Sequence, residues 1–260
     1  MKPTIFVLGV LGTLFLLASW LAPFDPMQTN PAQQMQPPSR EHFLGTDTLG
    51  RDVFSRLWAG GQRTLGITAA ATLISVIPGL ILGLIAGIFH DVLDKIIGIL
   101  INALLAFPTL LLALVILTLL GPGPLALALA TGFSQIGSYA RMLRSAVIGV
   151  RSAQYVEAAV AAGATRWNIV REHILPNIRP TMLTYASITF GYNLLNSAAL
   201  SFLGLGGEPG VPDWGVMLAE GRAVLRTAPW LSLVPGVAIT MTVMAVNQLA
   251  RQGAEPSNRR

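Results

Sequence analysis

Long apolar stretches alternate with short polar ones along the chain, and most of the apolar stretches are long enough to cross a bilayer as a helix. The pattern predicts six transmembrane helices: residues 5–21, 65–89, 96–120, 125–139, 182–205 and 230–249. The fourth is the weakest, because it is short and is interrupted by Ser134, Gln135 and Ser138. Pro78 and Pro108 lie inside spans and predict kinks. The sequence therefore predicts an all-α, polytopic membrane protein.

The polar stretches divide the chain into four predicted parts. These are an N-terminal transmembrane anchor at residues 1–22, an extracytoplasmic segment at 23–63, a five-helix core at 64–250 and a cytoplasmic tail at 251–260. A cleaved signal peptide is the alternative for the first part. We favour a retained anchor, because no small-x-small cleavage site follows the apolar run.

The predicted extracytoplasmic segment changes character half-way along. Its first half is rich in proline, which predicts an extended, loop-like chain: Pro23, Pro26, Pro31, Pro37 and Pro38. Apolar residues share one helical face in its second half, namely Val53, Phe54, Leu57 and Trp58. This face predicts a short amphipathic helix at the membrane surface, and an ordinary helix that leads into the membrane is the alternative.

Composition and charge support a membrane protein, and the charges also predict its orientation in the membrane. Hydrophobic residues make up 53% of the chain, charged residues 11%, and the mean hydropathy is +0.62, which excludes an ordinary soluble protein. A sequence pI of about 10.2 would also suit a nucleic-acid-binding protein, but most basic residues stand in short loops beside apolar stretches. Of the 17 Lys and Arg, eleven fall on the side that holds both termini and six on the other. The positive-inside rule therefore places both termini in the cytoplasm, with no nucleic-acid partner.

One polar loop, residues 141–180, contains a helical stretch that runs from Tyr155 to Pro176. Its alanines favour a helix, Gly163 is a natural residue for the end of that helix, and Thr165 can cap a second one. Pro176 is predicted to end the second helix. Two short helices between membrane spans are better suited to docking a partner than to catalysis.

The chain lacks the residues that would let it hydrolyse ATP itself. A phosphate-binding loop needs a lysine after a glycine-rich turn, and neither Lys2 nor Lys95 follows one. The run from Ala59 to Arg63 resembles the glycine-glutamine signature of ATP-binding cassettes, but it stands alone and on the outer side of the predicted topology. If ATP drives this protein, another subunit must hydrolyse it.

The sequence also predicts no catalytic residue, no metal site and no cofactor. It has no cysteine, and His42, His90 and His173 fall in three separate loops, so they cannot form a zinc site. The chain has no Gly-x-Ser-x-Gly turn for a nucleophilic serine. No Asp, Glu, Lys or Arg stands inside a predicted span, where an ion-driven carrier normally has one. A membrane-embedded enzyme and a self-contained secondary carrier are therefore disfavoured alternatives.

The fifth predicted span carries polar side chains. Thr189, Asn193 and Asn196 recur at helical spacing, and Tyr192 lies beside them in sequence. One interpretation is that these four residues line a hydrated translocation path. The alternative is that the amides hold helices or subunits together, as buried amides commonly do in membranes. The two interpretations are equally favoured, and a path at a subunit interface would combine them.

Three motifs together resemble a known family. The first is FLGTDTLGRDVFSRLWAGGQRTL at residues 43–65, the second is Glu157-Ala158-Ala159 with Gly163 and Leu175-Pro176, and the third is LSFLGLGGEPGVPDWGVMLAEGR at residues 200–222. With these motifs the sequence resembles the membrane permeases of bacterial ABC importers, specifically the second permease of the dipeptide, oligopeptide and nickel group. The second motif is similar to the cytoplasmic EAA loop of those permeases, although His173 stands where isoleucine is usual.

The resemblance implies the type I ABC importer permease fold in the bacterial inner membrane. It also implies three kinds of partner: a second homologous permease, two cytoplasmic ATP-binding-cassette ATPases and an extracytoplasmic solute-binding protein. Six residues of the second motif would couple the chain to an ATPase: Glu157, Ala158, Ala159, Gly163, Leu175 and Pro176. Di- and oligopeptides are the commonest cargo of the group, and nickel, another metal chelate or another small solute is the alternative.

Overall fold

The computed structural model describes residues 22–89, 92–206 and 210–254, and these residues are mostly helical. The α-helices in these ranges are α1 (Val53–Ile88), α2 (Val92–Leu105), α3 (Thr109–Leu120), α4 (Pro124–Arg151), α5 (Gln154–Ala161), α6 (Arg166–Asn168), α7 (Leu175–Phe202), α8 (Trp214–Arg222) and α9 (Trp230–Ala254). A 3-10 turn, Pro31–Gln33, precedes them, and a π-helical segment, Ile169–Ile174, joins α6 to α7. The all-α prediction is confirmed for the described ranges, whereas the predicted span at residues 5–21 lies outside them.

Helices α1 and α4 pack side by side and run in the same direction. Gly79, Gly83 and Gly87 face successive turns of α4, so closely that a methyl group on any of them would lie within 3 Å of an atom of α4. The residues they meet are, in order, Tyr139, Ala140 with Leu143, and Val147. Small residues at this spacing allow close helix approach in membrane proteins. This pair forms the centre against which the other helices pack.

The other long helices run to and fro along this pair. Helix α7 begins beside the C-terminal turns of α1 and runs back along it, so that Asn193 reaches Ser75 in the second half of α1. Helix α9 begins at the opposite end, where the indole of Trp230 donates a hydrogen bond to the carbonyl of Thr46 at 3.4 Å. The bundle thus has two ends, one at the start of α1 and one at the start of α7.

The structure does not confirm the predicted count of six spans. By length and composition, two described helices could cross a membrane: α1 and the Trp230–Gln248 part of α9. A third is added if α2 and α3, which are bent by 85° at their junction, count as one broken span. Helices α4 and α7 are each 28 residues long, but α4 carries three arginines and α7 a row of polar side chains.

The predicted span at residues 96–120 is therefore two helices. A proline disfavours helical conformation in the residue before it and lacks an N–H for the helical hydrogen bond. Pro108 has both effects, and α3 begins directly after it at Thr109. The predicted kink at Pro108 is confirmed as a break, whereas α1 continues through Pro78.

Residues 53–58 form no amphipathic helix separate from the next span. Val53 to Trp58 form the first turns of α1, so the prediction of a separate short helix was wrong. Asp52 caps this long helix, because its carboxylate accepts a hydrogen bond from the N–H of Ser55 at 2.7 Å. Two adjacent glycines at positions 60 and 61 do not interrupt the helix, since α1 packs there against the start of α8.

Residues 22–52, called the cap segment below, fold over the start of α1 and are not extended. Backbone hydrogen bonds cross-link the segment, from the N–H of Asn30 to the carbonyl of Leu49 and from the N–H of Thr46 to the carbonyl of Gln36, each at 3.0 Å. The prediction of a loop-like chain is confirmed and that of an extended one is wrong, because the cross-links come from residues whose pairing no local pattern indicates.

Pro176 does not end a helix, which corrects another prediction. The chain continues from α6 through the π-helical segment into α7, and Pro176 lies in the first turn of α7. The connection from α6 into α7 is therefore helical and continuous, whereas turns at residues 152–153 and 162–165 flank α5.

Candidate functional site

Residues 152–174, called the connector below, link α4 to α7 and contain α5, α6 and the π-helical segment. Helix α5 lies at the surface and is anchored by Val156, which is 2% exposed. Glu157 and Ala158 are exposed, and Ala159 is half-buried. A partner could therefore reach the first three predicted coupling residues without any rearrangement of the chain.

The turn after α5 has the geometry that the sequence predicts. Gly163 has a φ of +87°, in the left-handed region that glycine adopts without strain. The N–H of Ala164 bonds back to the carbonyl of Ala159 at 3.0 Å. Thr165 then caps the next helix, since its hydroxyl accepts a hydrogen bond from the N–H of Asn168 at 3.3 Å. The helix end at Gly163 and the cap at Thr165 are confirmed.

Leu175 and Pro176 lie where the connector joins α7. Leu175 is half-buried and packs against an apolar cluster that includes Tyr139 and Leu143 of α4, whereas Pro176 is exposed. Leu175 thus holds the connector to the bundle, and α5 projects from the bundle. Contact of these residues with an ATPase stays a prediction.

The polar residues of α7 do not share one surface. Thr189 and Asn193 are buried, and the Asn193 amide donates to the hydroxyl of Ser75 at 3.2 Å. Ser75 in turn donates to the carbonyl of Gly132 at 2.8 Å. This polar contact joins α7, α1 and α4 in the middle of the bundle. It agrees with the interpretation that the amides of α7 hold helices together. Asn196 is half-buried, and its amide nitrogen has no hydrogen-bond partner among the described residues.

Tyr192 points in another direction. Its side chain is 57% exposed and lines an open cavity of about 390 Å³ between α7 and α9. Other residues in this wall include Thr184, Leu195 and Asn247. Of the four residues predicted to line the path, Tyr192 thus lies on an accessible face, while Thr189 and Asn193 face the inside of the chain.

A buried charge cluster at the start of α1 was missed by sequence reasoning. Arg51 and Arg56 are 3% and 1% exposed, and both donate to the Glu220 carboxylate, at 3.2 and 2.8 Å. Asp47 lies 2.6 Å from Nε of Arg51 and 3.5 Å from Nε of Arg56. Two guanidinium groups face two carboxylates, so the buried charges compensate one another. The cluster joins the cap segment, α1 and α8.

Further contacts join α1 and α8 near this cluster. The hydroxyl of Thr64 donates to the Asp213 carboxylate at 3.0 Å and accepts from the N–H of Trp214 at 3.1 Å. The Trp214 indole donates to the carbonyl of Leu57 at 2.9 Å, and its ring packs where a side chain at Gly61 would lie. The motifs at residues 43–65 and 200–222 therefore form one unit. One available signal was that seven of the twelve Asp and Glu fall on this side of the predicted topology.

Comparison with known proteins identifies the family. The family described as "Binding-protein-dependent transport system inner membrane component" matches residues 79–253, from the second half of α1 through most of α9. The chain belongs to this family. It is a permease subunit of an ABC importer, a membrane protein whose class works with separate ATPase subunits.

Curated relatives are similar to this permease over most of its length. The dipeptide transport system permease protein DppC of Alkalihalophilus pseudofirmus is 36% identical over 92% of this chain and 80% of its own length. The di/tripeptide transport system permease protein DppC of Pseudomonas aeruginosa is 38% identical over 89% of this chain and 78% of its own. The glutathione transport system permease protein GsiD of Escherichia coli is 35% identical over 96% and 82%.

Solved structures support the permease fold. A chain of the MetNI methionine ABC transporter in an inward-facing conformation matches with a TM-score of 0.62, and the match covers 76% of this permease and 96% of that chain. An amino acid ABC transporter chain matches with a TM-score of 0.62 over 76% and 92%. Sequence identity is 20% and 19% in these two matches, so they show the ABC importer fold alone.

Proposed function

We propose that this permease forms half of a translocation path for di- or oligopeptides. The relatives described above are named for dipeptides, di- and tripeptides and glutathione, all of which are peptides. In this proposal the other half of the path belongs to a second homologous permease. Two ATP-binding-cassette ATPases and a solute-binding protein complete the transporter, and this chain binds no cofactor.

The observation that carries the coupling part of the proposal is the form of the connector. Helix α5 projects from the bundle with Glu157 and Ala158 exposed, and its two ends lead into the long helices α4 and α7. An ATPase that accepts α5 in a groove could approach the small alanine side chains closely and pair a basic residue with Glu157. Gly163 supplies the turn out of the groove, while Leu175 and Pro176 begin the helix that receives the motion.

The mechanism then follows from a shift between two states. ATP closes the ATPase pair and moves the two connectors, one from each permease, toward each other. Because the connector joins the end of α4 to the start of α7, both ends move with it and the bundles switch from inward-facing to outward-facing. Tyr192, on the accessible face of α7, would then line the path, whereas the buried Thr189 and Asn193 would mainly hold α7 in place.

The charge distribution supports a topology with both termini in the cytoplasm of a bacterial inner membrane. The connector end of the bundle holds Arg166 and Arg171, among other basic residues, and the positive-inside rule assigns such an end to the cytoplasm. In this arrangement residues 1–22 anchor the chain, 23–63 lie outside, 64–250 form the five-helix core around the cytoplasmic loop 141–180, and 251–260 are a cytoplasmic tail.

Reconstitution of the complete transporter in liposomes tests the proposal. We expect uptake of a labelled dipeptide that requires ATP and the binding protein, and no uptake of nickel. Glu157→Lys should lower uptake about tenfold or more, because a charge-assisted contact typically contributes about 1.5–3 kcal/mol. Glu172→Lys is the matched control, since Glu172 is also exposed but lies in the π-helical segment, outside the coupling motif.

Three results would overturn parts of the proposal. Dipeptide uptake without ATP would contradict an ATP-driven importer. Uptake of nickel but not of dipeptide would contradict the assigned cargo and leave the ATP-driven mechanism standing. Normal ATP-driven uptake by Glu157→Lys, with the ATPases still bound, would remove Glu157 from the coupling contact.

A further inference from the structure

Two cavities flank helix α5 and share part of their walls. The first, of about 390 Å³, lies between α5 and the end of α4. The second, of about 300 Å³, lies between the connector and the end of α1. Arg151, Val160 and Ile169 line both. The second cavity is at the lower end of the size range of small-molecule sites.

The charged residues that line the second cavity are basic. Arg151 and Arg166 line it, and no carboxylate stands among its described lining residues. The first cavity differs, since Glu157 lines it together with Arg151. Two positive charges in one wall favour an anion. Guanidinium groups favour phosphate in particular, because their planar N–H groups match two phosphate oxygens at once.

Contacts within the chain position both arginines at this wall. The Arg151 side chain lies 3.5 Å from the carbonyl of Gly87 at the end of α1. The Arg166 guanidinium lies 5.7 Å from the centre of the Phe89 ring, a distance at which a cation and an aromatic face attract each other. One arginine therefore comes from α4 and the other from α6, and the end of α1 lies beside both.

The rest of the wall is apolar and continues along the outside of α1. The apolar lining residues are Ile88, Phe89, Val160, Ala164, Ile169, Val170 and Ile174. Ile77 and Ile81 are 53% and 52% exposed, and helical spacing puts them on the same face of α1 as Ile88. Because α1 is apolar enough to cross a membrane, this stripe would run from the acyl-chain region to the headgroups.

We propose that the second cavity binds the headgroup phosphate of an anionic phospholipid such as phosphatidylglycerol. Arg151 and Arg166 hold the phosphate, and the acyl chains lie along Ile77 and Ile81. A free phosphate would use the arginines and leave the apolar stripe unused, whereas a phospholipid uses both. Basic pockets between membrane helices bind anionic headgroups in the same way.

The bound lipid would tie the connector to the end of α1 at the membrane surface. The consequence for coupling rests on the proposed function, because it requires that an ATPase acts on the connector. Lipid binding itself is measured without ATP or peptide. A failed binding test therefore leaves the transport proposal standing, and failed ATP-driven uptake leaves a positive binding result standing.

The test uses the complete transporter in nanodiscs of phosphatidylcholine and phosphatidylglycerol, with the retained phospholipids counted by native mass spectrometry. We expect wild type to retain phosphatidylglycerol selectively. Arg166→Gln and Arg151→Gln should each lower its affinity about fivefold, the effect of one basic residue at an anionic surface. Arg166 is exposed, so its replacement keeps the test valid if Arg151→Gln fails to fold. Arg171→Gln, an exposed arginine that lines neither cavity, should bind like wild type.

Three results would contradict the proposal. Equal phosphatidylglycerol retention by wild type and Arg166→Gln would show that the cavity does not hold the headgroup. An equal loss in Arg171→Gln would assign the effect to surface charge in general. Displacement of the lipid by inorganic phosphate, added to the same nanodiscs, would assign the cavity to a free anion.

Discussion

The two ends of helix α1 are built in opposite ways. At its start, four charged side chains are packed into one cluster, and the cap segment and α8 close over them: Asp47, Arg51, Arg56 and Glu220. At the C-terminal end of α1, a few apolar residues, including Val156 and Ile174, anchor the connector, while most of α5 is exposed. Segments with few buried contacts open at low free energy, and well-packed ones do not.

This difference fits the proposed mechanism, in which the ATPases act on the connector end of the bundle. A push on the connector can tilt α4 and α7 only if their far ends are held. The charge cluster and the Thr64 contacts fix the start of α1 to α8, and α8 packs closely against the end of α7 at Gly215. The start of α4 packs against α1 and the end of α7 through Leu127 and Leu200. The connector has few buried anchors of its own, whereas the opposite end is held by contacts within the chain.

The largest expected effect comes from unpairing the charge cluster. Arg56→Met keeps most of the apolar length of the side chain but removes a guanidinium that faces Glu220 and Asp47. Loss of one partner from a buried ion pair typically destabilises a protein by about 3–5 kcal/mol. The lower end of about 3 kcal/mol applies here, since Glu220 is 29% exposed and both carboxylates keep Arg51 as a partner. We expect the free energy of unfolding, measured by SDS titration in mixed micelles, to fall by that amount.

Arg226→Met is the matched control, because Arg226 is an exposed arginine near the same end. It should change the free energy of unfolding by less than about 0.5 kcal/mol. The double variant Arg56→Met with Glu220→Leu should be more stable than Arg56→Met alone. If Arg56→Met and Arg226→Met unfold alike, the cluster does not hold this end.

The next largest effect is expected at the other end, at Gly163. Its φ of +87° strains any side chain that disfavours the left-handed region, although no atom lies within 4 Å of where a Cβ would be. Gly163→Val should therefore oppose the native turn by about 1–2 kcal/mol, without a steric clash. We expect ATP-driven uptake to fall about tenfold, with little change in the SDS titration.

Asparagine tolerates the left-handed region better than other side chains, so Gly163→Asn is the matched control and should keep most of the uptake. If Gly163→Val and Gly163→Asn transport equally well, the backbone turn does not matter for coupling. If Gly163→Val unfolds like Arg56→Met, the connector is not the separable region that the comparison describes.

Local chemistry explains why the sequence predicted the connector better than the contacts of the cap segment. The stop at Gly163 and the cap at Thr165 each depend on a few neighbouring residues, and both are confirmed. The contacts of Arg51 and Arg56 with Glu220 join positions more than 160 residues apart. No helical or alternating pattern reports such pairing, so two motifs that form one unit looked independent.

Span boundaries failed for a different, local reason. Hydropathy treats residues 96–120 as one apolar run, whereas the backbone restriction imposed by Pro108 breaks it into α2 and α3. For α7, spacing placed Thr189 and Asn193 on one face correctly, since both are buried. It could not tell whether that face meets another helix of the chain or a water-filled path.

A smaller effect is expected for an ion pair at the connector end. Arg144 of α4 donates to both carboxylate oxygens of Asp94 in α2, at 2.7 and 2.8 Å, but the two side chains are 36% and 22% exposed. Solvent screens such a pair, so a double-mutant cycle of Asp94→Asn and Arg144→Gln should give a coupling energy of at most about 1 kcal/mol.

Salt distinguishes this pair from the buried cluster. The Asp94–Arg144 coupling energy should shrink in high salt, whereas the effect of Arg56→Met should stay nearly constant, because buried charges are screened much less. A coupling energy for Asp94 and Arg144 as large as the effect of Arg56→Met would show that the two ends do not differ in their electrostatics.

The smallest stability effect is expected between the two ends, at Asn193. Its amide donates to Ser75, but its buried carbonyl oxygen has no hydrogen-bond partner among the described residues. Asn193→Leu therefore loses two hydrogen bonds, to Ser75 and to the hydroxyl of Thr72 at 3.4 Å, and also removes an unsatisfied group. Hydrogen bonds between membrane helices average about 0.6 kcal/mol each. Tyr192→Leu is the matched change one residue away on the exposed face, and we expect it to lower peptide uptake without altering the SDS titration. Reduced uptake in Asn193→Leu with unchanged stability, and normal uptake in Tyr192→Leu, would instead place the path on the buried face of α7.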